Sequence, residues 1–365
     1  MKNEDLFWLA FNHVRGIGAV RFRKLLNYFG ELSRAWQADR AELITAGLTE
    51  KAADQVIQTR QSLDMQGIAN ELQRKGISYL TWNSENYPTY LKEIAQPPPV
   101  LYYIGTVLPE DELAIAIVGT RNVTKYGRQI THDTAAFLAG SGITVVSGLA
   151  RGVDGIAHHA AIEAGGRTFA VLGSGVDVIY PSEHRKLAKD IIQNGALLSD
   201  YPPGTKPDGI NFPPRNRIIS GLSRGTVVIE AGERSGALIT AKFALDQGRD
   251  IYAVPGSVLS PMSKGTNKLL AEGAIPMTNP VIITDTLNLA STGFESKKQK
   301  VEITAVEGNI LSVLGNDCLH VDEICALTSM GIEKLTAELT MMELKGLVER
   351  VKGMEYQRVR HWDIG

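Results

Sequence analysis

Six short apolar runs between residues 111 and 285 alternate with segments of helical periodicity. The apolar runs are nearly continuous, which is typical of parallel strands that are covered on both faces. They lie at 113–118, 143–146, 168–172, 196–199, 226–230 and 250–254. The helical stretches between them lie at 129–139, 155–164, 183–193 and 237–247. This alternation predicts a doubly wound, Rossmann-like parallel α/β sheet in a domain that covers residues 111–290.

The regions on either side of this sheet have different patterns. Residues 1–65 have apolar positions at helical spacing on both sides of a glycine turn at 14–18. This turn is similar to a helix-hairpin-helix (SAM-like) unit, and an ordinary helical hairpin fits it equally well. Residues 66–110 contain short apolar runs and three consecutive prolines, which predict a connector with short strands.

The C-terminal part of the chain predicts a small separate domain. A polar linker at 291–303 precedes residues 304–365, whose pattern is typical of a winged helix. Three helices are predicted at 306–314, 321–327 and 333–344, and two paired strands at 347–351 and 355–359. The apolar stripe of the third helix consists of Leu335, Leu339 and Met342.

The composition excludes several classes of protein. The 365 residues carry a formal net charge of −2, so any anionic partner must be held by a local patch. The two cysteines form no CxxC pair, and we therefore expect neither a metal site nor a disulfide framework. Because the sequence has no signal-peptide pattern and no membrane-length apolar run, we expect a cytoplasmic protein without a membrane partner.

Polar, glycine-rich loops follow four of the predicted strands. In an open α/β sheet, ligands bind outside the carboxyl ends of the strands. Glycines let backbone amides approach an anion closely, arginine forks fit phosphate oxygens, and an aromatic ring can stack on a base. The candidate residues are Gly119, Thr120 and Arg121; Ser147, Gly148 and Arg151; Gly173, Ser174 and Gly175; and Lys206, Phe212, Arg215, Asn216 and Arg217.

These loops predict one cationic rim that holds successive phosphates of a polyanion. We expect the segment 200–214 to be a loop that leads into the arginine pair Arg215 and Arg217. We further expect that replacing Arg121 or Arg215 with alanine weakens binding without unfolding the protein.

The same motifs, taken in order, resemble the DNA-processing protein A family (DprA, also called Smf) of bacterial natural transformation. The helical region and the winged helix resemble the accessory domains of this family more loosely. The matching runs lie at 119–127, 147–154, 171–181, 212–222, 230–236 and 254–256. His184, Asp200 and Thr266 stand where the family usually has asparagine, glutamate and cysteine.

The resemblance implies a non-catalytic, cytoplasmic homodimer without a cofactor. Such a protein binds and protects incoming single-stranded DNA and loads the RecA recombinase onto it during natural transformation. The resemblance places the DNA-contacting arginine of the family at Arg121, and its lysine and aromatic residue at Lys206 and Phe212.

Two alternatives remain at this point. The first is an enzyme of the same fold, similar to the lysine-decarboxylase-like phosphoribohydrolases, in which Glu230 is the candidate catalytic carboxylate. A structural role as a brace for the arginine loop is the other interpretation of Glu230. The sequence has no phosphate-binding GxxxxGK[ST] loop, no nucleophile elbow and no HExxH motif.

The second alternative concerns the winged helix, whose third helix sits where related motifs read duplex DNA. Glu333, Glu338 and Glu343 outweigh Lys334 and Lys345 around that helix. A role in protein interaction or in support of a dimer is therefore favoured over duplex reading.

Overall fold

The computed structural model describes residues 4–287, 303–315, 317–345 and 347–358. The chain divides into two compact units, Met1–Ser296 and Lys297–Gly365. The predicted linker at 291–303 lies outside the described residues except for Ile303. In the described part of the chain, none of the helices has the length and apolar character needed to cross a bilayer.

The first unit begins with six helices. They are α1 (Asp5–His13), α2 (Ala19–Phe29), α3 (Leu32–Gln37), α4 (Arg40–Thr45), α5 (Glu50–Ser62) and α6 (Met65–Arg74). Gly16 has a φ of 87° in the turn between α1 and α2, a backbone conformation that favours glycine. The rings of Trp8 and Phe22 stack with centroids 5.6 Å apart, so these two helices share an aromatic core.

Nine strands of the first unit form one sheet. They are β1 (Ser78–Thr81), β2 (Val100–Gly105), β3 (Ala114–Val118), β4 (Thr144–Ser147), β5 (Thr168–Val171), β6 (Gly195–Ser199), β7 (Gly225–Val228), β8 (Asp250–Ala253) and β9 (Ile275–Pro276). Their order is β1-β2-β6-β5-β4-β3-β7-β8-β9. Strands β3 to β9 pair in parallel, and β3 to β7 are fully buried, so the prediction of a doubly wound parallel sheet is confirmed.

The two strands of the predicted connector belong to the same sheet. Strands β1 and β2 pair antiparallel to each other, and β2 continues antiparallel onto β6. The phenol of Tyr102 on β2 donates a hydrogen bond to Asn12 Oδ1 (2.9 Å), and Lys75 pairs with Asp177 at 2.7 Å. The helical region therefore packs on the sheet through a common core.

Eight further helices of the first unit connect or cover the strands. They are α7 (Thr89–Lys92), α8 (Lys125–Gly140), α9 (Val153–Glu163), α10 (Arg185–Gln193), α11 (Phe212–Gly221), α12 (Gly236–Asp246), α13 (Lys264–Ala271) and α14 (Val281–Thr286). The expectation of a loop through residue 214 is wrong, because α11 already begins at Phe212. Pro213 and Pro214 lie in its first turn, where a missing N–H costs no helical hydrogen bond.

The second unit is a winged helix. Its elements are α15 (Ala305–Leu314), β10 (Cys318–His320), α16 (Val321–Thr328), α17 (Ile332–Leu344), β11 (Val348–Lys352) and β12 (Glu355–Arg358). The strands pair antiparallel in the order β10-β12-β11, and β10 is a strand that the sequence pattern missed. Leu335, Leu339 and Met342 are fully buried, as the predicted stripe requires.

Candidate nucleic-acid interface

A cleft of about 860 Å³ lies at the carboxyl ends of β3 and β7. Its walls come from the loops that follow these strands and from the first turns of α11 and α12. This is the place where ligands bind in open α/β sheets. The cleft contains an exposed rim and a buried floor, which have different chemistry.

The rim consists of Arg121, Tyr180, Phe212 and Arg234. The guanidinium carbon of Arg121 lies 5.9 Å from the ring centroid of Phe212, within cation–π range. The rings of Phe212 and Tyr180 lie 5.7 Å apart at an angle of 34°. Within the described residues, neither Arg121 nor Arg234 forms an ion pair with a carboxylate, so both positive charges are available to a ligand.

Glu230 holds the loop that carries Arg121. Its carboxylate is buried and accepts hydrogen bonds from the backbone N–H of Thr124 (2.9 Å) and from the hydroxyl of the same residue (2.6 Å). The carbonyl of Glu230 also accepts the N–H of Thr120 at 2.7 Å. These contacts agree with the structural interpretation of Glu230, in which it braces the arginine loop.

The floor is formed by Arg215 and Asp154, and Gly148 packs against both of these side chains. Arg215 is only 5% exposed, and its Nη1 donates to the carbonyls of Gly148 (2.9 Å) and Val171. Burial lowers the pKa of Arg215 to about 10, an effect that the nearby Asp154 carboxylate opposes. Arg215 therefore remains a cation at neutral pH, but it lies in the floor and not on the rim where the sequence predicts it.

Asp154 and Gly148 pack closely around Arg215 in this floor. Burial raises the pKa of Asp154, while the charge of Arg215 and the N–H of Ala150 (3.3 Å) act in the opposite direction. A Cβ atom added at Gly148 would lie 2.7 Å from Nη2 of Arg215 and 2.8 Å from Oδ2 of Asp154. Only glycine leaves room for both charged groups at this point.

The two serines of the candidate set face the protein interior. Ser147 is fully buried, and its hydroxyl donates to the carbonyl of Ile117 at 2.6 Å. Ser174 is 2% exposed, and its hydroxyl donates to the carbonyl of Val178 at 2.7 Å. Both hydroxyls are therefore occupied by backbone carbonyls, and the predicted ligand contact through the backbone amides of these residues stays a prediction.

The glycines of the third loop are also packed. A Cβ atom at Gly173 would lie 2.7 Å from the ring of Phe212, so this glycine accommodates the aromatic side chain. The N–H of Gly175 donates to the carbonyl of Thr205 at 3.0 Å. The predicted cradle of free amides is therefore wrong at Gly175, as it is at Thr120, because each of these N–H groups already has a protein acceptor.

Arg217 points away from the rim. Its guanidinium pairs with Asp200 (Nη2 to Oδ2, 2.9 Å) and donates to the carbonyl of Gln96 at 3.0 Å. The side chain is 15% exposed. The prediction that Arg217 joins Arg121 on one rim is thus wrong, because Arg217 ties α11 to the connector.

Three further candidate residues lie at or near the cleft, and their side chains differ in how accessible they are to a ligand. Arg151 lines a smaller adjoining cavity and is paired with Glu183 at 2.5 Å. Lys206 is exposed beside a residue that lines the cleft. Asn216 lines the cleft, and its amide donates to the carbonyl of Gly236 at 3.3 Å.

Sequence reasoning missed two rim residues, Tyr180 and Arg234. Tyr180 is 45% exposed, which is unusual for an aromatic side chain that stacks on another ring. Both residues occur in runs that carry the family resemblance, at 171–181 and 230–236. The available signal was an aromatic or cationic residue in a polar loop after a buried strand.

Comparisons with known proteins identify relatives of this chain. A family model described as DNA recombination-mediator protein A matches residues 78–288, and a model of the DprA winged helix domain matches residues 295–354. Protein Smf of Synechocystis sp. is 36% identical over 98% of this chain and 99% of its own length. DNA processing protein DprA of Bacillus subtilis is 40% identical over 67% of this chain and 85% of its own length.

Two solved structures are also similar to this chain. DNA processing protein A from Streptococcus pneumoniae has a TM-score of 0.67 at 31% identity, and the match covers 78% of this chain and 98% of that one. The protein of the same name from Helicobacter pylori, whose structure addresses its single-stranded DNA binding mode, has a TM-score of 0.53 at 33% identity. That match covers 59% of this chain and 96% of the other.

Proposed function

This chain belongs to the family of DNA recombination-mediator protein A, and from that premise we propose that it binds single-stranded DNA in the cleft. The observation that carries the proposal is the rim, where Arg121 lies against the paired rings of Phe212 and Tyr180 and where neither Arg121 nor Arg234 has a carboxylate partner among the described residues. Cations with exposed rings are the elements that bind unpaired strands without sequence readout.

In this proposal the rim residues make two kinds of contact, one with phosphates and one with bases. Arg121 and Arg234 hold phosphate oxygens, and the ring of Phe212 or Tyr180 stacks on a base. Each stacked base contributes about 1–3 kcal/mol. A net charge of −2 provides no general attraction for DNA, so these few contacts must supply the electrostatic part of the affinity.

The floor residues hold the Phe212 ring of the rim in place before a ligand binds. Arg215 lies one turn after Phe212 on α11, and its hydrogen bonds fix that helix to the ends of β4 and β5. The Phe212 ring also rests on Gly173. A ring that is already ordered loses little conformational entropy on stacking, and more of the contact energy therefore appears as affinity.

The proposal includes no bond cleavage. Glu230 is 3% exposed, both oxygens of its carboxylate accept hydrogen bonds from Thr124, and it is not among the described residues that line the cleft. This placement disfavours the phosphoribohydrolase alternative. Release of adenine from AMP by the purified protein would restore that alternative.

We extend the proposal, on family membership alone, to the biological role. The protein acts as a cytoplasmic homodimer that protects incoming single-stranded DNA and loads RecA onto it during natural transformation. RecA filament assembly on single-stranded DNA coated with a single-strand-binding protein tests this extension. Faster assembly in the presence of this protein is expected, and an unchanged rate contradicts RecA loading. Light scattering after size exclusion tests the dimer, and a monomeric mass contradicts it.

Fluorescence anisotropy with a labelled oligo(dT) and a duplex of the same length tests the binding proposal. We expect tighter binding of the single strand, with log affinity falling by roughly 0.7 per neutralised phosphate for each tenfold increase in salt. Arg121→Ala weakens binding about tenfold or more, since charge-assisted hydrogen bonds contribute about 1.5–3 kcal/mol.

The matched control is Lys51→Ala, which removes an exposed positive charge from α5, away from the cleft. It is expected to leave the affinity nearly unchanged. Binding that does not depend on salt, or equal affinities for Arg121→Ala and the wild type, would refute the cleft as the DNA site.

A further inference from the structure

A second cavity adjoins the cleft and has Arg121 as a shared wall. Its volume is about 400 Å³, and it lies between the first turns of α8 and α9 and the loop before α10. Its polar lining residues are Arg121, Asn122, Arg128, His159 and His184. The proposed function does not use this cavity.

The charges around this cavity are one-sided. Arg128 is exposed on the first turn of α8, and in the described part of the chain it pairs with no carboxylate. His159 is exposed on α9, and Glu163, one turn further along that helix, contacts His132 Nε2 at 3.5 Å. Among the described residues that line the cavity, none is acidic.

His184 presents one nitrogen of its ring to the cavity. Its Nδ1 lies 2.9 Å from the carbonyl oxygen of Leu149, and because a carbonyl only accepts, Nδ1 carries the proton of the neutral ring. Nε2 of this tautomer then bears a lone pair and accepts hydrogen bonds, so His184 shapes the cavity wall without donating to a phosphate oxygen. The ring lies against Gly155, where an added Cβ atom would come within 2.9 Å of Cε1. Glycine at 155 thus leaves the space that the imidazole occupies.

We propose that this second cavity binds the phosphate backbone of the same single strand, beyond the nucleotides held in the cleft. This inference rests on the proposed function, because a strand held at Arg121 reaches both cavities past that one side chain. The guanidinium groups of Arg121 and Arg128 donate well to phosphate oxygens, and no described lining residue is acidic, whereas the aromatic pair of the rim does not line this second cavity. It therefore holds backbone and not bases.

Oligonucleotide length tests this proposal with the double variant Arg128→Gln/His159→Gln. Anisotropy is measured with oligo(dT) of about six and about sixteen nucleotides, lengths within the usual range of single-strand sites. We expect the double variant to lose about tenfold in affinity for the longer strand, with a smaller salt slope by roughly 0.7 per lost phosphate contact. Its affinity for the shorter strand is expected to stay at the wild-type value.

Two controls separate position from charge. Lys51→Gln/Lys242→Gln removes two exposed positive charges that line neither cavity, and it is expected to leave both affinities unchanged. Arg128→Lys keeps the charge, and it is expected to retain most of the affinity for the longer strand.

The outcomes also distinguish this proposal from the proposed function. Wild-type affinity of the double variant at both lengths overturns the second cavity as a backbone site. Equal losses of affinity for the shorter and the longer strand overturn the proposal that the second cavity extends the site, because the cavity would then belong to the primary site. Two other results would refute the proposed function itself. Either the wild-type protein does not bind the shorter strand, or the Arg121→Ala variant binds the shorter strand as tightly as the wild type.

Discussion

Arg121 and Arg215 line the same cleft but have opposite surroundings. Arg121 on the rim is exposed, and its nearest described partner is the ring of Phe212. Arg215 in the floor is 5% exposed and donates to two backbone carbonyls. The rim arginine is available to a ligand, whereas the floor arginine is already committed to the protein.

The comparison shows that residue type and cleft position do not assign a function by themselves. A buried guanidinium is tolerated only when hydrogen-bond acceptors and a counter-charge surround it, and Gly148 and Asp154 supply that environment here. Among the described residues, no carboxylate pairs with either rim arginine. We therefore expect floor substitutions to affect folding first and rim substitutions to affect binding first.

The largest effect is expected for Arg215→Ala. This substitution leaves two buried carbonyls without their donor, each at a cost of about 1–3 kcal/mol, and it removes a positive charge that stabilises the Asp154 carboxylate, so the free energy of unfolding should fall by about 3–5 kcal/mol. The sequence-based expectation of weaker binding without unfolding is replaced by this one. Urea denaturation followed by circular dichroism measures the change.

Arg121→Ala is the matched control for that measurement, with an expected change within about 0.5 kcal/mol. Equal stability of the two variants would remove the distinction between rim and floor.

The next effect is expected for Phe212→Leu. Leucine keeps an apolar side chain over Gly173 but removes the ring, so binding of oligo(dT) should weaken by about 1–3 kcal/mol with little change in stability. Anisotropy titration and a thermal melt measure both quantities. A variant that binds as tightly as the wild type would mean that no base stacks on this ring.

Over a single pH unit, a smaller effect on stability is expected from the buried imidazole of His158. Burial, together with the charges of His184, His159 and Arg215, lowers its pKa to about 3 from an ordinary value near 6.5. As the pH falls below about 6.5, the unfolded chain takes up a proton that the folded chain does not. The unfolding free energy should then fall by about 1.4 kcal/mol per pH unit.

Denaturation at several pH values measures this slope. His158→Gln removes the titrating group and should flatten the slope, whereas the exposed His159→Gln removes only a minor cause of the lowered pKa and should leave most of the slope in place. A slope that survives in His158→Gln would assign the acid sensitivity to other groups.

The smallest effect is expected for Arg234→Ala on the rim. One exposed charge without a neighbouring ring should contribute about threefold to the affinity, and mainly at low salt. Titration at two salt concentrations measures it. A loss as large as that of Arg121→Ala would make the two rim arginines equivalent and extend the primary site toward α12.

Much of the sheet was predictable because buried parallel strands leave a simple signal. Each of the six predicted runs overlaps a strand between β3 and β8, and their loops meet at one edge, as the fold requires. The helix α11 escaped prediction because prolines usually break regular structure, although they are tolerated in a first helical turn.

The arrangement of the site was less predictable for a different reason. A sequence shows that Arg215 and Arg217 are two residues apart, but not that α11 sends one into the floor and the other toward Asp200. It also shows glycines without showing whether the space beside them is filled by a ligand or by protein atoms. At Gly148 and Gly173 the protein's own side chains fill that space.

The antiparallel strands β1 and β2 have a consequence for how this protein can be divided. Because they fasten the N-terminal helices to the sheet through one common interior, removing residues 1–110 would strip the edge of β6 and expose apolar surface. The winged helix has an interior of its own. The last unit therefore has the core of an independent module, whereas removal of residues 1–110 would open the interior that these residues share with the sheet.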